Sequence, residues 1–221
     1  CKIQLASWRP GRYEMGNFAK NVSHVLCLEN GNTAKWRKIS KDVWEIECNA
    51  GSTIEFSFNY SALELNAGST YANSRMLYVN PVNCIPFLPS NKNEPYEVNI
   101  LGNYKYLSSG LKNEGMQLSA ENFDEIADSP FEIHFFGDSE LNKEVLKEQI
   151  RRYTKLQIGI FNTFPEPIEK YVYLIHFTPH FMHHGVEHTT STVIVMGPGE
   201  SFNKLEKHNE LLAICSHELF H

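Results

Sequence analysis

The sequence predicts an α+β protein: an antiparallel β-sheet or sandwich domain over residues 1–128, then a mixed domain over 129–221. Three observations predict it. Short β-branched and aromatic runs, punctuated by Pro, Asn and Gly, fill the first half. The apolar period becomes helical in the second half. The chain then reads strand, strand and an apolar helix up to residue 221.

Taken in order, DVWEIEC (42–48) and STIEFSFNY (52–60) read as strands joined by the turn NAGS. Pro, Asn and Gly then break up residues 80–115, and before about residue 120 only NFAKNVSHV suggests a helical turn. SELNKEVLKEQIRRYTKLQIGIF (139–161) places Leu141, Val145, Leu146, Ile150, Tyr153 and Leu156 near helical spacing, with Asp138 or Ser139 as cap. KYVYLIHFT (170–178) and VEHTTSTVIVM (186–196) read as strands. Between them Pro179 and Gly185 mark a solvated loop that takes in His180, His183 and His184. After the break GPGES, residues 203–221 read as a helix whose middle, Leu211 to Cys215, is apolar nearly all round and so predicts burial.

Length and a 42% hydrophobic content suit one large domain or two small ones. The net charge of −6, with no basic run, argues against nucleic acid. No apolar run approaches the roughly 20 residues of a membrane span. CKIQLASWRPGRY has no apolar signal core, so an extracytoplasmic location, such as the periplasm, is favoured only if a signal peptide precedes Cys1. Five cysteines without a CxxC pair predict free thiols, with one disulfide in the first 90 residues as the alternative. Asn21 and Asn59 head N-x-S sequons.

The chemistry concentrates in the last five residues, His-Glu-Leu-Phe-His. On a helix His217 and His221 stack one turn apart and can grip one zinc ion, while Glu218 is placed to take a proton from water. The apolar flank LLAIC argues for a metal, because buried imidazoles need partners. Upstream, Glu187 and His188 begin a strand just after Gly185, and these three are the candidate substrate-binding residues. If that strand rims a cleft, its backbone can pair with an extended peptide, and Glu187 can receive the peptide's free amino group.

HHGVEHTTSTVIV followed about thirty residues on by ICSHELFH resembles the glycyl aminopeptidase family of zinc metallopeptidases, whose longer members often carry a PDZ domain. The family's Gly-Gly-x-Glu-His block is met here with His184 at the first Gly. ASWRPGRY (6–13) resembles a signature of the family's N-terminal domain, and ADSPFEI (127–133) the start of its catalytic domain. The resemblance implies an N-terminal β-domain followed by the first part of a thermolysin-like catalytic domain. It implies His217 and His221 as zinc ligands, Glu218 as general base, and Glu187 as the acceptor of the substrate amine. The activity it implies is removal of small N-terminal residues from peptides.

It also implies a third zinc ligand, a Glu on the next helix, and an oxyanion-stabilising Tyr or His, neither of which these 221 residues supply. Glu206 and Glu210 precede the motif and have no reason to substitute. The expectation is therefore a truncated peptidase domain, inactive alone and binding zinc weakly. The alternatives are an endopeptidase of the same clan and a non-catalytic peptide-binding module with a degenerate peptidase domain.

Overall fold

In the computed structural model the described residues are 1–9, 15–102, 106–133, 143–162, 168 and 170–221. They form five small sheets and few helices, an α+β architecture in which every strand pair but one is antiparallel. The first two sheets face each other. One orders Lys2–Gln4, Val43–Ile46 and Trp36–Lys38, the other Asn32–Thr33, Val22–Glu29 and Ile54–Tyr60. Alternation in VWEI turns Trp44 and Ile46 inward, each 1% exposed, onto Ile3, Leu5, Cys27 and Phe56. The strand Val22–Glu29 covers a stretch that sequence reading took for a helical turn, and only Phe18–Asn21 is helical there.

A four-stranded sheet follows, ordered Leu107–Ser109, Phe131–Ile133, Leu77–Val79 and Tyr71–Ala72, beside a three-stranded one of Lys112–Glu114, Gln117–Ala120 and Tyr96–Asn99. Their shared core is Val79, Leu111, Leu118, Phe123, Ile126 and Phe131. The helix Phe123–Ala127 starts where the Asn122 side chain accepts from the Glu125 N–H, at 3.0 Å. Pro81–Cys84 and Pro89–Asn91 add short helical turns that begin on proline. All five cysteines are free; Cys27 and Cys215 are buried and Cys1 is exposed.

The last sheet positions the candidate chemistry. Its order is Val172–Phe177, Ser191–Gly197, Met182–His188, the first pair parallel and the second antiparallel. One face, with Ile175, Ile194 and Met196, packs on the helices Lys143–Phe161 and Leu205–Phe220 around Leu146, Leu211 and Cys215. The other, with Leu174, Val193 and Val195, packs on Ala67, Met76 and Tyr78 of the N-terminal half. The sheet is thus a middle layer, apolar on both sides, which explains the continuous run VIVM in its central strand.

Sequence reading placed one strand over 186–196; the structure has a hairpin turning at Thr189 and Thr190. It also placed His183 and His184 in a loop, whereas the strand begins at Met182. No Gly, Asn or Asp marks that turn, and β-branched Thr runs through it, so local chemistry did not announce the reversal. The helix over 139–161 is present from Lys143 to Phe161, with its proposed caps Asp138 and Ser139 outside the described residues. Pro10 to Tyr13 of the ASWRPGRY motif also lie outside them. No helix among the described residues is long and apolar enough to cross a membrane.

Candidate active site

The strand Met182–His188 is the edge of its sheet, and no described strand pairs with its outer side. The helix Leu205–Phe220 runs beneath it. Leu211, Ile214, Cys215 and Glu218, spaced three and four apart, form the helix's buried stripe. Glu218 continues an apolar stripe with a carboxylate, 8% exposed, directly under the strand.

Gly185 shows how close that approach is. A Cβ built at Gly185 would lie 2.6 Å from Glu218 Cδ and 2.8 Å from Cγ, inside any real carbon–carbon contact. The glycine is therefore a clearance for the carboxylate. Glu187, two residues on, shares its face of the strand. Burial raises the Glu218 pKa above the ordinary carboxylate value and the Glu187 charge adds to this, while His217, His221 and His183 work against it.

His217 and His221 are exposed and flank the helix's buried stripe, three residues from Ile214 and from Glu218 respectively. The apolar flank therefore buries Glu218 and not the two imidazoles, contrary to the expectation from sequence. Their Nε2 atoms stand 3.1 Å apart with ring centroids 4.7 Å apart. Two imidazoles on one tetrahedral zinc, at about 2.0–2.1 Å each, would have nitrogens about 3.3 Å apart, so this pair fits two corners of such a site. Among the described residues no group of three His, Cys, Asp or Glu side chains gathers to hold a metal.

Two further residues stand at the site, one that sequence reading did not single out and one that it assigned to a solvated loop. Tyr171 is pushed up in pKa by burial first, and further by the charges of Glu218 and Glu187, while its bond to Thr192 works against the rise. The Tyr171 hydroxyl bonds Thr192 Oγ1 at 2.5 Å, and Thr192 is the cross-strand partner of Glu187. The loop residue is His183, which works against the rise of the Glu218 pKa. Strand alternation sets His183, Gly185 and Glu187 on one face, a signal visible only once the strand is known to start at Met182.

His188 points to the opposite face. Its side chain is 6% exposed and its Nδ1 lies 3.1 Å from Asp128 Oδ1. A cleft of 1260 Å³ opens at this end of the strand, lined by Trp8, Arg9, Phe87, Glu187, His188 and Thr189 among others. It meets the candidate site at Glu187, while Glu218 and the two histidines lie outside it.

Residues 1–134 match the Peptidase M61 N-terminal domain family. No curated protein matches the chain. A solved structure described as an aminopeptidase N family protein from Idiomarina loihiensis superposes with a TM-score of 0.88 at 18% identity, over 100% of this chain and 42% of that one. A mutant M1 zinc metallopeptidase from Deinococcus radiodurans matches at 10% identity over 98% of this chain and 55% of its own, with a TM-score of 0.38, too low to support any argument. The first of these shows the α+β fold, and the chain spans 42% of that relative's length.

Proposed function

This chain belongs to the M61 peptidase family, and from that membership we propose that it is the N-terminal portion of a zinc-dependent aminopeptidase that removes small residues from peptides. Residues 1–128 are its β-rich domain and 129–221 the first part of a thermolysin-like catalytic domain, a division supported by a family match that ends at residue 134. The observation that carries the activity is the edge strand laid across a buried glutamate. Gly185 lets its backbone close onto Glu218, and Glu187 follows on the same face.

An extended peptide pairs with the open edge of Met182–His188 by main-chain hydrogen bonds, which bind it without regard to sequence. Glu187 receives its ammonium group and fixes the scissile bond one residue away. Glu218 takes the proton from the attacking water and passes it to the leaving amine. His217 and His221 would hold zinc, whose chemistry when bound is to polarise a carbonyl and to acidify water.

The test uses the full-length product of the parent gene on alanyl and glycyl reporter substrates. Chelator-sensitive turnover is expected. Glu187→Gln is expected to lower kcat/KM on free-amine substrates about 10- to 100-fold, the scale of one hydrogen bond to a charged group. If Glu187→Gln instead impairs cleavage of amino-blocked peptides just as much, the endopeptidase reading takes over. A full-length protein that holds no zinc near unit stoichiometry favours the non-catalytic peptide-binding module. The 221-residue chain is expected to show neither turnover nor tight zinc, since a catalytic zinc normally takes three protein ligands and the described residues bring together two. Robust chelator-sensitive hydrolysis by this chain would contradict that.

A further inference from the structure

Two stretches singled out separately in the sequence, ADSPFEI and GVEHTT, meet at one carboxylate. Asp128 Oδ2 accepts from the Thr189 N–H at 2.9 Å and from the Thr189 hydroxyl at 2.6 Å, and Oδ1 faces His188 Nδ1 at 3.1 Å. Asp128 is the C-cap residue of the helix Phe123–Ala127, 61 residues from Thr189. His188 ends the edge strand, Thr189 begins its turn, and Glu187 is the residue immediately before them. The carboxylate thus grips the backbone of a two-residue turn that has none of the usual turn residues.

We propose that Asp128 is a positioning residue: by fixing the His188 ring and the Thr189 backbone, it sets the direction in which Glu187 presents its carboxylate to a primary ammonium group. This rests on the reading of Glu187 given above. The strand transmits the constraint. His188 and Glu187 project from opposite faces, so pinning one side chain and the next peptide unit leaves the other little freedom.

The protonation state follows from the geometry. Burial raises the Asp128 pKa, but the bonds from His188 and Thr189 outweigh it and hold the carboxyl below its ordinary value, so it is ionised at neutral pH. An ionised carboxylate only accepts, so His188 carries a proton on Nδ1. Its Nε2 is buried and has no hydrogen-bond partner among the described residues.

Two measurements test the proposal. In the 221-residue chain, the ring-nitrogen shifts of ¹⁵N-labelled histidine are expected to show His188 in the Nδ1–H form, and Asp128→Ala to return it to a tautomer mixture. In the full-length protein, Asp128→Asn is expected to raise KM for free-amine substrates roughly tenfold, with kcat within about threefold. The same change on a Glu187→Gln background is expected to add almost nothing. The Asn variant keeps an acceptor for His188 while losing the carboxylate that holds Thr189, and thermal unfolding of the chain reports whether it folds. An Nε2–H tautomer in the unaltered chain overturns the ring lock. An unchanged KM, or a full tenfold loss on the Glu187→Gln background, overturns the positioning role. Glu187→Gln without effect of its own removes the amine-docking reading together with this one, and that failure shows in the Glu187 arm alone.

Discussion

Gly185→Ala is expected to separate folding from chemistry at this site. The added methyl meets the end of the Glu218 side chain, with Cδ 2.6 Å and Cγ 2.8 Å from its position. A flexible carboxylate can rotate aside, so the cost to the 221-residue chain is expected to be about 1–2 kcal/mol, within the usual range for overpacking. Loss of the glycine's conformational freedom in a strand returns part of that. With Glu218 as the general base proposed above, activity has no such outlet. A general base contributes about 10²–10⁴-fold, and displacement by an ångström costs about 10²-fold. Gly185→Ala in the full-length protein is therefore expected to lose at least about 10²-fold in kcat.

A double-mutant cycle in the 221-residue chain checks the cause without needing activity. On a Glu218→Ala background the obstacle is gone, so Gly185→Ala is expected to cost nothing or to stabilise slightly. An equal cost in both backgrounds, measured by urea unfolding, would show that the glycine serves some other need than clearance for Glu218.

The same glycine explains much of what the sequence could and could not reveal. The last helix was legible because both its signals are local: an apolar stripe at helical spacing and two histidines one turn apart. Strand Val172–Phe177 was legible from its run of β-branched and aromatic residues. The hairpin was not, because its two defining features are set from outside. Gly185 reads as a breaker, yet it sits within a strand because Glu218, 33 residues later, leaves no room for a Cβ. The reversal at Thr189 and Thr190 is held by Asp128, which no local rule connects to it. The sequence began this strand just after Gly185, which already sends Glu187 and His188 to opposite faces; that His183 and Gly185 share the Glu187 face became visible only with the strand's true start at Met182.

Acid is expected to weaken the chain through His176. This side chain is 2% exposed on the sheet face turned to the N-terminal half, its ring 5.2 Å from that of Tyr78 and inclined by 56°. Burial lowers its pKa from 6.5 to about 4. The sign follows from which state holds the proton. Below about pH 6.5 the unfolded chain protonates this imidazole, while the folded chain resists until about pH 4, so the unfolded state binds more protons across that window. Stability is then fully present above pH 6.5 and falls as the pH drops toward 4. A displacement of about 2.5 units at 1.36 kcal/mol per unit gives roughly 3 kcal/mol in all. That is a large share of the 5–15 kcal/mol that holds a typical domain. Glu218 acts with the opposite sign, because a carboxyl with a raised folded-state pKa binds its proton more readily in the folded chain and so resists acid. Asp128, held below its ordinary value, loses its contribution only at still lower pH. Urea unfolding at pH 7 and 4.5 is therefore expected to show the unaltered chain losing about 2–3 kcal/mol more than His176→Phe, which keeps a ring against Tyr78 but has nothing to titrate. Glu218→Gln should steepen the loss where His176→Phe flattens it. Equal losses in the unaltered chain and in His176→Phe would mean that the imidazole takes up its proton without leaving the fold, and that the sheet face against Tyr78 tolerates a charge.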